Sequence, residues 1–107
     1  QKISVGYMDI TTSADVKIIK IEAKKIERIE AHSMTMDGEI MKMRKITPEL
    51  VKNKTYKFKP GGNHLMLFGI DRELKAGGDI SLLFTFQLTE NKKPPFIFTR
   101  SIEFKIK

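Results

Sequence analysis

Two histidines and a cluster of methionines are the residues in this chain whose types and spacing could do specific chemistry. Four of the six methionines, Met34, Met36, Met41 and Met43, fall close together, and His32 opens that run. The other histidine, His64, stands two residues before Met66. Thioether sulfur combined with imidazole nitrogen is a soft ligand set, better suited to Cu(I) than to Zn, Mg or Ca. Thioethers carry no charge and lose no proton on binding. A site of two His and two Met has no negative ligand and therefore favours the lower charge of Cu(I) over Cu(II). A blue-copper centre needs a Cys thiolate, and the chain has no cysteine. The same absence removes Cys as a nucleophile. No Ser/His/Asp or paired-carboxylate arrangement stands out, so the reading is a binding protein and not an enzyme. The metal ligands expected are His32, Met43, His64 and Met66, with Met34 and Met41 either packing or serving as auxiliary sulfur ligands.

These residues need strands to bring them together. Asp37-Gly38 between alternating segments is a strong hairpin signal and favours a two-residue turn. With Asp37 and Gly38 as that turn, Met36 pairs with Glu39, Met34 with Met41, and His32 with Met43. Residues two apart share one face of a strand, so His32, Met34, Met41 and Met43 project from the same side. Directly opposed Cβ atoms lie about 4.5–5.5 Å apart, close enough for an imidazole and a thioether to meet one ion. His64 and Met66 repeat this spacing on a second strand, with Leu65 and Leu67 pointing to the core. The His-Met side is expected to be open to solvent at least in part. Met8 and Met36 are read as packing residues, the commoner role of methionine in a β-domain.

Alternation of period two dominates the whole chain and marks it as all-β. In Asp79 to Leu88, Ile80, Leu82, Phe84, Phe86 and Leu88 fall on one side. Phe96, Phe98, Ile102, Phe104 and Ile106 do the same in the last segment. Further strands are expected over Ile3 to Ile10, Val16 to Ala23, Ile26 to Met36, Ile40 to Ile46, Thr55 to Lys59 and His64 to Ile70. Ala23 to Ala31 also fits a short helix. Turn signals at Asp37-Gly38, Pro60-Gly61-Gly62, Gly77-Gly78 and Pro94-Pro95 separate the runs. About seven to eight short, mostly antiparallel strands at this spacing form a sandwich or barrel.

The 107 residues are expected to form one domain, 1–107. Hydrophobic residues make up 40% and charged residues 31%, a globular composition that excludes a disordered chain. No apolar run reaches the roughly 20 residues of a membrane-spanning helix. Neither a signal peptide nor a transit segment opens at Gln1, which suits a cytoplasmic chain or a mature one whose leader has been removed. The net charge of +7 suits a solubilising surface or an acidic partner or membrane face. Nucleic acid is disfavoured, because the lysines form no dense block and no aromatic RNA-binding signature occurs.

The segment from His32 to Arg44 resembles the first metal motif of the PCuAC-type periplasmic copper chaperones, and Pro60 to Gly69 resembles the second. The family pattern is a His, ten residues, a Met, about twenty-one residues, then His-x-Met. Here ten residues separate His32 from Met43 and twenty separate Met43 from His64. Phe68 stands where many members carry a further methionine. Leu74 to Ile80, followed by the Phe-rich strand, is also similar to the family. The resemblance implies a cupredoxin-like Greek-key fold, a periplasmic or otherwise extracytoplasmic location, and Cu(I) held by His32, Met43, His64 and Met66. It also implies a copper-accepting partner, either the CuA centre of cytochrome c oxidase or another copper chaperone, and a monomeric carrier. The chain ends Glu-Phe-Lys-Ile-Lys, without the His-rich tail through which some members hold Cu(II). Two rival readings compete with this one: a metal-free basic β-sandwich that serves as an interaction module, and a copper-dependent redox enzyme.

Overall fold

The computed structural model describes residues 3–71, 79–89 and 95–105. The Gly77-Gly78 turn, Pro94, Ile106 and most of the Leu74 to Ile80 segment lie outside the described residues.

Ten strands and no helix occur among the described residues: β1 (Ile3–Gly6), β2 (Met8–Thr11), β3 (Val16–Glu22), β4 (Ile26–Asp37), β5 (Ile40–Ile46), β6 (Glu49–Leu50), β7 (Thr55–Phe58), β8 (His64–Ile70), β9 (Asp79–Leu88) and β10 (Ile97–Lys105). The alternating patterns thus became strands, and the helical alternative over Ala23 to Ala31 did not. Its first residues instead form a tight turn, with Lys25 at φ 67° between β3 and β4, and the rest joins β4. The count exceeds the seven or eight expected for two reasons. The run from Ile3 to Ile10 breaks at Tyr7, and its halves join different sheets. β6 has only two residues, too few for a period to show.

One four-stranded sheet runs β1-β8-β4-β5, a second runs β10-β9-β3-β6, and β2 and β7 form a separate ribbon. Every strand pairing is antiparallel. The two larger sheets share one core. Ile80, Leu82, Phe84 and Phe86 of β9 supply it from one side, and Ile29, Ala31, Leu65 and Leu67 of β4 and β8 from the other. The sequence puts these residues at alternate positions, so burying them leaves the other face of β4 and β8 for polar and sulfur side chains. This alternation ends at Gly69. Its φ of +69° suits glycine, and a Cβ there would come within 2.5 Å of the Glu27 side chain. Beyond that kink Ile70 and its partner Ile26 pack on the core, although their parity matches the opposite face.

The hairpin differs in register from the sequence expectation. Asp37 pairs with Ile40, so Gly38 and Glu39 form the turn. Gly38 has φ +65° and Glu39 is not in the positive region, the pattern of a type II′ turn with glycine first. An Asp37-Gly38 turn of type I′ would need positive φ at both. As a result Met36 pairs with Met41, Met34 with Met43, and His32 with Lys45. The slip is two residues, an even number, so each side chain keeps the face expected for it.

Candidate metal centre

The site face of the β1-β8-β4-β5 sheet carries Glu30, His32, Met34 and Met36 from β4, Met41, Met43 and Lys45 from β5, and His64, Met66 and Phe68 from β8. The register fixes their order. His32 pairs directly with His64, and Glu30 with Met66. The two imidazole centroids are 6.0 Å apart, with planes tilted by 38°. Met66 flanks this pair on one side. Met43 lies on the other side, opposite Met34 and diagonal to His32. Diagonal neighbours sit about 7–8 Å apart, within reach of long side chains. All four sequence-predicted ligands therefore share one face. The two histidines are neighbours, while Met43 stands one step nearer the hairpin tip than expected.

The face is open in part, as expected, at Met43 and Met66, and departs from the expectation at His64. His64 is only 3% exposed and is the sole buried polar residue among those described. It lies on β8, which has a strand on each side. Met36 was expected to pack, yet it is 61% exposed. Met8, by contrast, packs against the core as expected.

The hydrogen bonds assign the ring nitrogens. His64 Nδ1 donates to the Gly62 carbonyl at 3.2 Å. A carbonyl can only accept, so Nδ1 holds the proton and Nε2 keeps the lone pair. His32 Nε2 donates to Glu30 Oε1 at 3.0 Å. An ionised carboxylate also only accepts, so in the neutral ring the lone pair lies on Nδ1. That Nδ1 is buried and has no hydrogen-bond partner, a costly state for a polar atom unless something binds it. One nitrogen of each ring is thus anchored on an oxygen while the other is left to coordinate. Metal-binding histidines show this arrangement, and the residues fit a soft cation.

Glu30 was not singled out from the sequence. It lies two residues before His32 on the same face and is largely enclosed. Arg28 Nε approaches it at 3.2 Å and Lys45 Nζ at 3.6 Å. Arg28 also covers the Phe68 ring at 4.2 Å. The hydrogen bond from His32 holds the Glu30 carboxyl below its ordinary 4.5. Partial burial opposes this, and the charges of Arg28 and Lys45 reinforce it. A depressed carboxyl pKa stabilises the fold above the unfolded value, and that contribution is lost as the pH falls through the folded one. The stability advantage of the wild type over Glu30→Gln is therefore expected to be full at neutral pH and to shrink below 4.5. Chemical denaturation of both proteins across that range measures it.

With the geometry in place, the comparisons with known proteins bear on it. Residues 1–93 match the family described as "Putative lipoprotein LpqE-like". The chain belongs to the LpqE-like family. This LpqE-like chain is 33% identical over 78 residues to the uncharacterized protein RP573 of Rickettsia prowazekii (strain Madrid E). The alignment covers 71% of the chain and 43% of RP573, so the chain spans less than half the length of that relative. Among solved structures, the apo PCuAC domain from PmoF1 superposes with a TM-score of 0.71, covering 100% of this chain and 81% of that one. At 16% identity the likeness is one of fold, and it agrees with the cupredoxin-like β-architecture that the motifs implied. Among the described residues no helix is long and apolar enough to cross a membrane.

Proposed function

We propose that this LpqE-like chain is a copper carrier. It binds one Cu(I) through His32, Met43, His64 and Met66 and passes it to an acceptor protein outside the cytoplasmic membrane. The observation that carries the reading is the directly paired His32 and His64, each anchored through one ring nitrogen, with the buried His32 Nδ1 unpartnered. The ion sits between the rings and draws one thioether from each side, Met66 and Met43. Glu30 orients His32 and raises its basicity from outside the ligand set. Met43 is 52% exposed, so a partner's ligand can replace it first and begin the transfer.

The lipoprotein description of the family supports the extracytoplasmic location, and the PCuAC-like fold supports a carrier over an enzyme. The acceptor implied by the motifs is a copper protein such as the CuA centre of cytochrome c oxidase or another chaperone. The test is an anaerobic Cu(I) titration in competition with a chromophoric Cu(I) chelator. The wild type is expected to remove one equivalent, and Met66→Leu to hold it more weakly. If the wild type removes none, the sheet face is a metal-free interaction surface instead.

A further inference from the structure

The register places more sulfur on the hairpin than one site of two His and two Met uses. Met34 directly opposes Met43, and Met36 directly opposes Met41. These are two consecutive same-face pairs leading from the histidines to the Gly38-Glu39 turn. Met36 is 61%, Met41 58% and Met43 52% exposed, and Met34 is half-buried. None of the four belongs to the core or packs against it. Packing therefore does not explain why methionine stands at all four positions.

We propose that Met34, Met36 and Met41 form a second site, an all-thioether site for a monovalent soft cation, Cu(I) or Ag(I), at the hairpin tip. Opposed Cβ atoms are about 4.5–5.5 Å apart, and successive same-face residues are separated by about 7 Å along a strand. Three rotatable bonds per methionine let sulfurs at these corners converge on one ion. Neutral thioethers select a soft ion of low charge. Met43 is the link between the sites: it opposes Met34 and lies diagonal to His32. An ion leaves the tip for the histidine pair by exchanging ligands around this shared sulfur, with no electron or proton moved. The relay rests on the carrier reading; the tip site does not.

Direct titration with Ag(I), which is redox-inert, followed through the 13C-labelled methionine methyl signals separates the two. The wild type is expected to bind two equivalents, with the methyl signals of Met34, Met36 and Met41 shifting for one of them. Met36→Leu/Met41→Leu keeps apolar bulk at exposed positions, and it is expected to lose one equivalent while Met66 still shifts. His32→Ala/His64→Ala is expected to keep the tip equivalent. If the Met36 and Met41 signals stay fixed through two equivalents, or the double leucine variant binds as the wild type does, the tip site is refuted. If those signals shift and Met66 does not, the tip site stands and the histidine site fails.

Discussion

His64→Ala is expected to lower the affinity for Cu(I) by at least about a hundredfold. Loss of an outer partner that merely orients a ligand costs about ten- to hundredfold, and His64 is placed as a ligand itself. The substitution removes the only lone-pair nitrogen facing His32 across the β4–β8 pairing. It also leaves a small void on the site face of β8, because His64 is 3% exposed. Part of its effect will therefore be on stability, and circular dichroism must show the variant folded before its affinity is read. His32→Ala tests the same site from a half-buried position, with less damage to packing. Met8→Leu is the matched control: it alters a methionine at the edge of the core and should leave affinity unchanged. A folded His64→Ala protein that competes for Cu(I) as well as the wild type would remove His64 from the site.

The largest effect on stability is expected at Phe84. Its side chain is fully buried, stacks on Phe86 at 5.9 Å with planes 12° apart, and through Phe86 reaches Phe98 at 5.4 Å. Phe84→Ala deletes a ring that the two packed sheets cannot close over, and such truncations cost about 3–5 kcal/mol. Domains of this size have roughly 5–15 kcal/mol in total. The variant should unfold at markedly lower denaturant, with the slope of the transition unchanged. A loss below about 0.5 kcal/mol, within the range of ordinary surface changes, would mean that β9 is not the centre of the core. The site should suffer indirectly, since Leu65 and Leu67 rest on the same core and their alternation puts His64 and Met66 on the opposite face of β8.

What could be read from the sequence follows the range of the interactions. Strand identity and facing are local, so β3, β4, β5, β8 and β9 could be placed almost to the residue. The same-face grouping of His32, Met34, Met41 and Met43 came from that parity and survived a wrong register. The register itself turned on whether Gly38 takes the first or the second turn position, and an Asp-Gly-Glu stretch allows either. Strand order is long-range, and periodicity carries no trace of β8 lying between β1 and β4. For that reason the direct pairing of His32 with His64 and the burial of His64 were invisible. A carboxylate two residues from a histidine, with Arg28 beyond it on the same face, was the one local signal that pointed to Glu30. At Tyr7, where the first strand divides between sheets, the preceding Gly6 was the local sign of the break.

X-ray absorption at the copper K-edge, on protein loaded anaerobically with one equivalent of Cu(I), tests the site most directly. The expected spectrum is that of Cu(I) with two nitrogen and two sulfur neighbours, reduced to a single nitrogen in His64→Ala. A first equivalent surrounded only by sulfur would place the ion on the hairpin methionines, and one surrounded only by nitrogen and oxygen would exclude Met43 and Met66. Either result would contradict the paired-histidine site.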